Sequence, residues 1–165
     1  MNNDVQGRAM SPAWVRRLLV LSAVLVLGAV NWSIFAKERI KTNGERIFLA
    51  LAPVDPRSLM QGDYMALRFE IVNGISADAS GSAPLRVDSN GVATLNPDPA
   101  APGLRIRYRI RNGQVWLGTN AYFFEEGTAR QYEGARYGEF RVDRASGEAV
   151  LVGLADKDLK TLGLN

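Results

Sequence analysis

The chain has 165 residues, of which 47% are hydrophobic and 22% are charged, and its formal net charge is +3. It contains neither cysteine nor histidine. Disulfides, thiol nucleophiles and cysteine-ligated zinc are therefore excluded, as are imidazole acid–base catalysis and histidine-ligated metals. From this composition we expect no cofactor, no metal and no catalytic residue, and we expect the protein not to be an enzyme.

The first predicted element is a membrane-spanning helix over residues 18–36. These 19 residues carry no charge, and 11 of them are Leu, Val, Ile or Phe. A helix of this length spans about 28 Å, close to the ~30 Å hydrocarbon core of a bilayer. Trp14 and Trp32 place an indole near each interface, and basic residues flank both ends. The sequence predicts a single anchor in contact with the lipid bilayer.

A cleaved signal peptide is the alternative interpretation of this segment. Ala36 would precede the cleavage site, but Ile34 occupies the −3 position, where a small residue is preferred. The basic residues on the two sides of the helix are nearly balanced, so the predicted orientation depends on the shortness of the N-terminal tail. We expect residues 1–17 to form a cytoplasmic tail and the chain beyond the anchor to lie outside the cytoplasm.

Three anchor residues are candidates for contact with another helix. Ala29 and Ser33 form a small-xxx-small pair, and Asn31 offers a side chain that can hydrogen-bond to a neighbour. The alternative is that Asn31 lies at the outer interface, where a polar side chain costs little. Both interpretations stay open.

Residues 37–46 predict a polar stalk, with a helical continuation that ends near Asn43-Gly44. Residues 47–165 then form the predicted extracytoplasmic domain. Residues 37–165 carry 17 basic and 16 acidic side chains, and this balance argues against a nucleic-acid partner, since nucleic-acid binders carry a strong basic excess.

Strand patterns dominate the domain. One apolar run begins at Ile47 and stops before Pro53, and a second covers residues 64–72. Three hairpins are predicted from turn residues between alternating segments, at residues 85–95, 104–124 and 138–154. Loops are predicted at 76–84 and 98–103 and a short helix at 156–162. This order predicts a mainly β fold, with one antiparallel β domain that is barrel- or sandwich-like.

The strand before the second hairpin turn places four arginines in one row. A period of two puts them on the same face: Arg105, Arg107, Arg109 and Arg111. A turn at Asn112-Gly113 would set Arg109 against Trp116, where the guanidinium could stack on the indole.

Two interpretations of this row stay open. It is either a surface for an anionic headgroup or glycan, or a solvated strand face whose charges discourage edge pairing, which we favour. The turn would also set Arg107 against Gly118 and Arg105 against Asn120, so no acid stands opposite, although Glu125 or Glu139 could come from an adjacent strand.

A proline-rich corner is the densest polar cluster. Two prolines flank an aspartate and prevent a helix, and Gly62 indicates a tight turn into the next strand. The candidate binding residues of this corner are Asp55, Arg57, Ser58, Asp63 and Tyr64. The structural interpretation makes the two aspartates turn caps, with Arg57 as their counter-ion.

The most distinctive motif is Gly62-Asp63-Tyr64-Met65-Ala66-Leu67-Arg68-Phe69. It resembles the signature of the GDYXXLXY family of uncharacterised membrane-anchored bacterial proteins, and residues 53–58, 111–120 and 136–142 are similar to that family as well. The last motif position is Phe69 where the family has Tyr, so a hydrogen bond from that hydroxyl is not essential here. The resemblance implies an inner-membrane protein, often encoded beside a multi-pass membrane protein, and it implies no known activity.

These observations favour a single-pass protein of the bacterial inner membrane whose C-terminal domain lies in the periplasm. We expect it to be an accessory or interaction subunit, with another, multi-pass membrane protein as its partner. One alternative is a module that binds an anionic envelope lipid or glycan. A signal-peptidase-like serine peptidase using Ser58 is less favoured, because such enzymes need a buried lysine and the domain's lysines all lie near its ends.

Overall fold

The structure, a computed structural model, describes residues 12–52, 60–61, 64–76, 78 and 80–163. The chain divides into two compact units between Glu38 and Arg39. The predicted corner residues Asp55, Arg57, Ser58 and Asp63 lie outside the described residues.

A single long helix, α1 (Pro12–Asn43), contains the predicted anchor and extends beyond it at both ends. Every residue from Ala13 to Phe35 is exposed, although most of them are apolar. The helix is long and apolar enough to cross a membrane. Its apolar side chains are therefore available for contact with lipid, while its orientation in a membrane stays a prediction.

The predicted stalk is divided between two elements. The helix ends at Asn43, where the Asn-Gly pair predicts its end, and Glu45 already belongs to the first strand. Ile40 is only 7% exposed, so the last helical turns belong to the second unit and are not a solvated spacer. Gly44 closes the helix with its N–H, which donates to the Ile40 carbonyl at 2.7 Å.

In the described part of the chain, ten strands form three antiparallel sheets. The strands are β1 (Glu45–Ala50), β2 (Met60–Gln61), β3 (Tyr64–Ala66), β4 (Gly81–Val87), β5 (Ala93–Leu95), β6 (Arg105–Arg111), β7 (Gln114–Trp116), β8 (Ala121–Phe123), β9 (Tyr137–Val142) and β10 (Ala149–Ala155). The strand orders are β1-β9-β10, β2-β3-β8 and β5-β4-β6-β7. Together they form a half-barrel, which confirms the prediction of a mainly β, antiparallel domain.

The three predicted hairpin turns are present. They join β4 to β5, β6 to β7 and β9 to β10. Asp88 supports the first turn by accepting the N–H groups of Asn90 and Val92. The second turn has positive φ at both central residues, 52° at Asn112 and 71° at Gly113, as a two-residue hairpin turn requires.

The core is formed by buried side chains from several strands and from the segments between them. Its largest fully buried side chains are Phe140, Ile47, Leu49, Ile106, Leu117, Leu154 and Val142. On the other face of β1, Phe48 is also buried, because its ring meets Tyr137 at 6.5 Å and the turn at Gly91 packs against it. The first strand is thus covered on both faces, which explains its almost continuous apolar sequence.

The strand predicted over residues 64–72 is wrong in its second half. A single β-bridge joins Phe69 to Leu51, and a 3-10 helix then covers Glu70–Gly74. The side chain of Ile71, which belongs to that 3-10 helix, is buried. Leu67, Phe69 and Ile71 still alternate with the polar Arg68 and Glu70, so the pattern of period two does not reveal that the strand has ended.

Two other local predictions are also wrong. The predicted loop at 76–84 contains the start of β4, where Gly81 lies against the Tyr108 ring, so that a Cβ would be 3.2 Å from its hydroxyl. The predicted helix at 156–162 is a turn, because the Asp156 carboxylate accepts the N–H groups of Asp158 and Lys160. Short acidic side chains compete in this way with helical hydrogen bonding.

Candidate functional site

The arginine row of β6 alternates as predicted, with Ile106 buried and Arg107, Arg109 and Arg111 exposed. Arg105 differs from the other three because its guanidinium is fully engaged. It donates to the hydroxyl and carbonyl oxygens of Ser82 at 3.1 and 2.8 Å, and to the Pro99 carbonyl at 3.1 Å. Arg105 therefore holds the loop before β6 against β4 and is a structural residue.

The predicted stacking on Trp116 involves a different arginine. Arg109 pairs with Trp116 in the strand register, but the Arg111 guanidinium lies over the indole, 5.6 Å from its centroid. Diagonal neighbours come close in strongly twisted two-stranded ribbons, and such a geometry is typical of a cation–π contact.

The predicted pairing beyond Trp116 is wrong. The ladder ends there, and Gly118, with a φ of 77°, packs so closely that a Cβ would be 2.9 Å from the Ala149 carbonyl oxygen. Arg107 therefore does not face Gly118, nor does Arg105 face Asn120, and the Arg107 N–H donates instead to the Gly147 carbonyl.

The two acids considered as partners for the row have other roles. Glu139 accepts from Arg46 Nε at 2.7 Å and from the Thr161 hydroxyl at 2.9 Å, and Glu125 is exposed. Within the described part of the chain, no carboxylate forms an ion pair with Arg107 or Arg109. These two side chains leave an exposed positive surface on β6.

The Glu139 cluster was not predicted from the sequence. Glu139 is 7% exposed and is the one charged side chain that is buried among the described residues. In the register Gly153 stands opposite it, and this missing side chain leaves space that Thr161 fills, 3.2 Å from where a Gly153 Cβ would be. In the sequence, Gly153 inside the apolar strand β10 indicates that another part of the chain approaches this strand closely.

A groove of about 550 Å³ lies between the chain at residues 67–75 and the turn that joins β6 to β7. Apolar side chains form one part of its lining: Leu67, Phe69, Val72, Ile75 and Val115. Polar side chains form another part: Arg68, Asn73, Gln114 and Asn120, while Ala52 and Gly113 complete it. None of these residues was among the predicted site residues, because the groove joins segments that are far apart in the chain.

The second half of the sequence motif builds the wall of this groove. Leu67 and Phe69 line it and are each 2% exposed. The Phe69 ring contacts Phe140 edge to face at 5.1 Å, and a Cβ on Gly138 would lie 2.7 Å from it. A phenylalanine fulfils this packing role without a hydroxyl, which accounts for the departure from the motif's tyrosine.

Tyr64 is the one predicted corner residue that the structure describes. It pairs with Phe123 across β3 and β8, and the two rings are 5.7 Å apart. Phe123 is 73% exposed, so the pair presents an aromatic surface at the edge strand β8. Its role in binding stays a prediction.

The anchor residues proposed for helix contact are all exposed on α1. The Asn31 amide donates to the Leu27 carbonyl at 2.9 Å within the same helix. Ala29 and Ser33 present small side chains nearby, and their contact with another helix stays a prediction.

Two titratable side chains of the second unit have pKa values that are shifted by hydrogen bonding or burial. Among the described residues, no group of three or more acidic side chains comes together as a metal site would require. The pKa of Asp143 is lowered because the N–H and hydroxyl of Ser146 donate to its carboxylate. Burial raises the pKa of Tyr122, with a further contribution from Tyr132. Both residues serve packing or turn structure.

Comparison with known proteins gives one match. No curated protein and no solved structure matches the chain. The family profile described as GDYXXLXY protein matches residues 26–154, a range that includes the motif, the groove residues and nearly every strand. The chain therefore belongs to the GDYXXLXY family.

Proposed function

We propose that this protein is a non-enzymatic interaction subunit of the bacterial inner membrane. Helix α1 anchors it, and the β unit lies in the periplasm, where it binds a second protein of the same membrane. The observation that carries the proposal is the groove between residues 67–75 and the β6–β7 turn.

The groove has the composition of a binding site. Its volume, about 550 Å³, is within the range of roughly 300–1,000 Å³ that is usual for ligand sites. The half-buried side chains of Val72 and Ile75 supply apolar contact area, and the amides of Asn73, Gln114 and Asn120 supply both donors and acceptors. Polar groups that converge on an apolar surface fix the orientation of what binds there.

The same residues support binding over catalysis. Amide side chains do not titrate, and Arg68 is the one ionisable residue among the described groove residues. A guanidinium stays protonated at any physiological pH, so this lining offers no group that could accept and return a proton. A site that recognises a surface needs none.

The anchor supports a partner in the same membrane. Its apolar surface is exposed along the whole span, and the small residues Ala29 and Ser33 would allow a second helix to approach closely. A contact along α1 and a contact at the groove would together engage one membrane protein at two places.

The test is extraction of the full-length protein from its own membranes in a mild detergent, followed by mass spectrometry. Asn73→Arg fills the groove from an exposed position, and Gln131→Arg is the matched control on the 3-10 helix Ala129–Tyr132. We expect wild type and control to retain a stoichiometric multi-pass partner and Asn73→Arg to lose most of it, with unchanged thermal melting. A protein that emerges alone would refute the proposed function.

A second candidate function is favoured by Arg107 and Arg109, two exposed arginines that form no ion pair with a described carboxylate. They would bind an anionic envelope lipid or glycan through salt-sensitive contacts. Titration of the detergent-purified protein with short-chain phosphatidylglycerol, against phosphatidylcholine, tests it. Equal binding by wild type and the Arg107→Ala, Arg109→Ala double variant would exclude this function.

A further inference from the structure

An open cavity of about 650 Å³ lies between the last turn of α1 and the turn that joins β9 to β10, and all of its lining residues belong to the second unit. Its volume is within the usual range for ligand sites, roughly 300–1,000 Å³. The charged side chains that line it are Arg39, Glu45, Asp143 and Arg144. Because two of them are cationic and two are anionic, the charges of the lining are balanced.

The segments that line this cavity are packed closely against one another. At Gly44, which joins α1 to β1, a Cβ would lie 2.5 Å from the Ile40 carbonyl oxygen and 3.0 Å from the Val142 nitrogen. The Arg141 guanidinium donates to the Gly44 carbonyl at 3.3 Å. The elements that carry the charged side chains are thus held together before anything binds, which lowers the cost of ordering a site.

The guanidinium of Arg144 can bind more than its ion-pair partner. Its Nε lies 2.6 Å from Glu45 Oε2, and the Arg144 side chain is 72% exposed. A guanidinium has five N–H donors in a planar fork, so the pair with Glu45 leaves the terminal nitrogens able to contact a second anion. Such a fork suits the oxygens of a phosphate group.

Arg39 and Asp143 are opposite charges that lie near each other without direct contact. Hydrogen bonds from Ser146 lower the pKa of Asp143, and the positive charge of Arg39 lowers it further. Among the ion pairs of the described residues, however, none joins these two side chains. Both donors of Ser146 reach Asp143 Oδ1, and a carboxylate can accept at its other oxygen as well. A ligand that carries both a phosphate and an ammonium group can therefore contact Arg39 and Asp143 together.

Arg39 is at the level of the lipid headgroups if α1 crosses the bilayer as proposed. It follows Ala36, the last residue of the uncharged run, by three residues of the same helix, which advance about 4.5 Å. The headgroup layer extends about 5–7 Å beyond the hydrocarbon core. A phospholipid headgroup is thus within reach of the cavity, and this holds for either orientation of the chain.

We propose that the cavity binds the headgroup of a zwitterionic phospholipid that carries a primary amine. The phosphate lies against Arg39 and Arg144, and the ammonium group donates to Asp143. A primary ammonium offers three N–H donors, whereas the quaternary ammonium of phosphatidylcholine offers none and phosphatidylglycerol has no cation at all. This inference goes beyond the proposed function, because it needs no protein partner.

Native mass spectrometry of the full-length protein, delipidated in detergent, tests the proposal. The protein is titrated with short-chain phosphatidylethanolamine, phosphatidylcholine or phosphatidylglycerol, and the lipid adducts are counted. We expect phosphatidylethanolamine to bind about tenfold more tightly than either of the others, as one additional hydrogen bond between charged groups accounts for. Equal affinity for phosphatidylethanolamine and phosphatidylcholine would overturn the proposal.

Two variants locate the site, and thermal melting of each shows that it is folded. Arg39→Gln, at an exposed helical position, should weaken the binding of phosphatidylethanolamine about tenfold, while Arg130→Gln, an exposed control, leaves it unchanged. Asp143→Asn should remove the preference over phosphatidylcholine. Its control is Asp98→Asn, since Asp98 also accepts an N–H group within a turn, and this variant should retain the preference. Unchanged binding by Arg39→Gln, or an unchanged preference in Asp143→Asn, contradicts the assignment.

Further controls separate this cavity from other ways of binding a phosphate. The Arg107→Ala, Arg109→Ala double variant should bind phosphatidylethanolamine as the wild type does, and a tenfold loss there would place the lipid on β6 instead. Inorganic phosphate and phosphoethanolamine, which have no acyl chains, are added as competitors. If either binds as tightly as the lipid, the ligand is a soluble phosphate compound and the assignment to a lipid is wrong. Extraction with a partner protein is a separate measurement, so failure of the proposed function and failure of this inference give different results.

Discussion

Replacing Glu139 by glutamine should destabilise the β unit, because this buried carboxylate joins two separate parts of the chain. It accepts from Arg46 Nε on β1 at 2.7 Å and from the Thr161 hydroxyl, beyond β10, at 2.9 Å. If Glu139 served a reaction instead, its replacement would leave the fold intact. The substitution therefore separates a structural role from a catalytic one.

The size of the effect follows from the exposure of the two donors. A buried hydrogen bond to a charged group contributes about 1.5–3 kcal/mol, and the partly buried Thr161 bond belongs near the lower end of that range. The Arg46 side chain is 46% exposed, so its ion pair contributes about 0–1 kcal/mol after screening by solvent. Glu139→Ala should cost about 1.5–2.5 kcal/mol, and Glu139→Gln, which keeps a neutral acceptor, about 1–2 kcal/mol.

Urea unfolding of the full-length chain in detergent measures this free energy. Replacing Trp14 and Trp32 by phenylalanine leaves Trp116 as the fluorescent reporter inside the β unit. A double-mutant cycle of Glu139→Gln with Thr161→Val should give a coupling of about 1 kcal/mol. Stability of Glu139→Gln within about 0.5 kcal/mol of wild type, or additive effects in the cycle, would refute the reasoning.

Three further predictions concern the joint after α1, a turn and the orientation of the chain. Gly44→Ala should strongly lower the melting temperature, because its Cβ would lie 2.5 Å from the Ile40 carbonyl oxygen and 3.0 Å from the Val142 nitrogen, both main-chain atoms. The control is Gly134→Ala, whose Cβ would have nothing within 4 Å. Equal melting temperatures for the two variants would contradict the prediction. Because the pKa of Asp143 is lowered, its ionised carboxylate stabilises the fold at pH values above the ordinary aspartate pKa. This stabilisation is lost as the pH falls through the lowered pKa. Asp143→Asn should remove that part of the acid sensitivity in urea midpoints measured from neutral to acidic pH, and an unchanged pH profile would argue against it. Asn90→Cys introduces one thiol into a chain without cysteine, at an exposed turn. A membrane-impermeant maleimide should label this thiol in cells whose outer membrane is permeabilised. If the thiol is labelled only after the cells are lysed, the orientation is the reverse of the proposed one.

Features that depend on neighbouring residues could be predicted from the sequence. The hairpin turns follow from local chemistry, since Asp88 caps its own turn and Asn112-Gly113 tolerates positive φ. The uncharged run of the anchor and the end of its helix at Asn43 follow in the same way. Each of these signals is contained in a few consecutive residues.

Features that depend on distant residues could not be predicted. Arg111 reaches Trp116 through the twist of two strands, and Glu139 meets Thr161 only because a strand and the turn after β10 come together. The groove joins the second half of the motif to the hairpin turn near Gln114. No periodicity within one segment reports such contacts.

The position of β9 has a consequence for how the protein is made. It is the central strand of its sheet, and it pairs with β1 (Glu45–Ala50) at residues 137–142, far along the chain. During synthesis β1 emerges soon after the anchor, and the strand with which it pairs in the sheet follows only when most of the chain has been made. Pairing between such distant segments forms slowly. Folding of the β unit should therefore be post-translational, and a chain that stops before β9 should be cleared by proteolysis while still attached to the membrane.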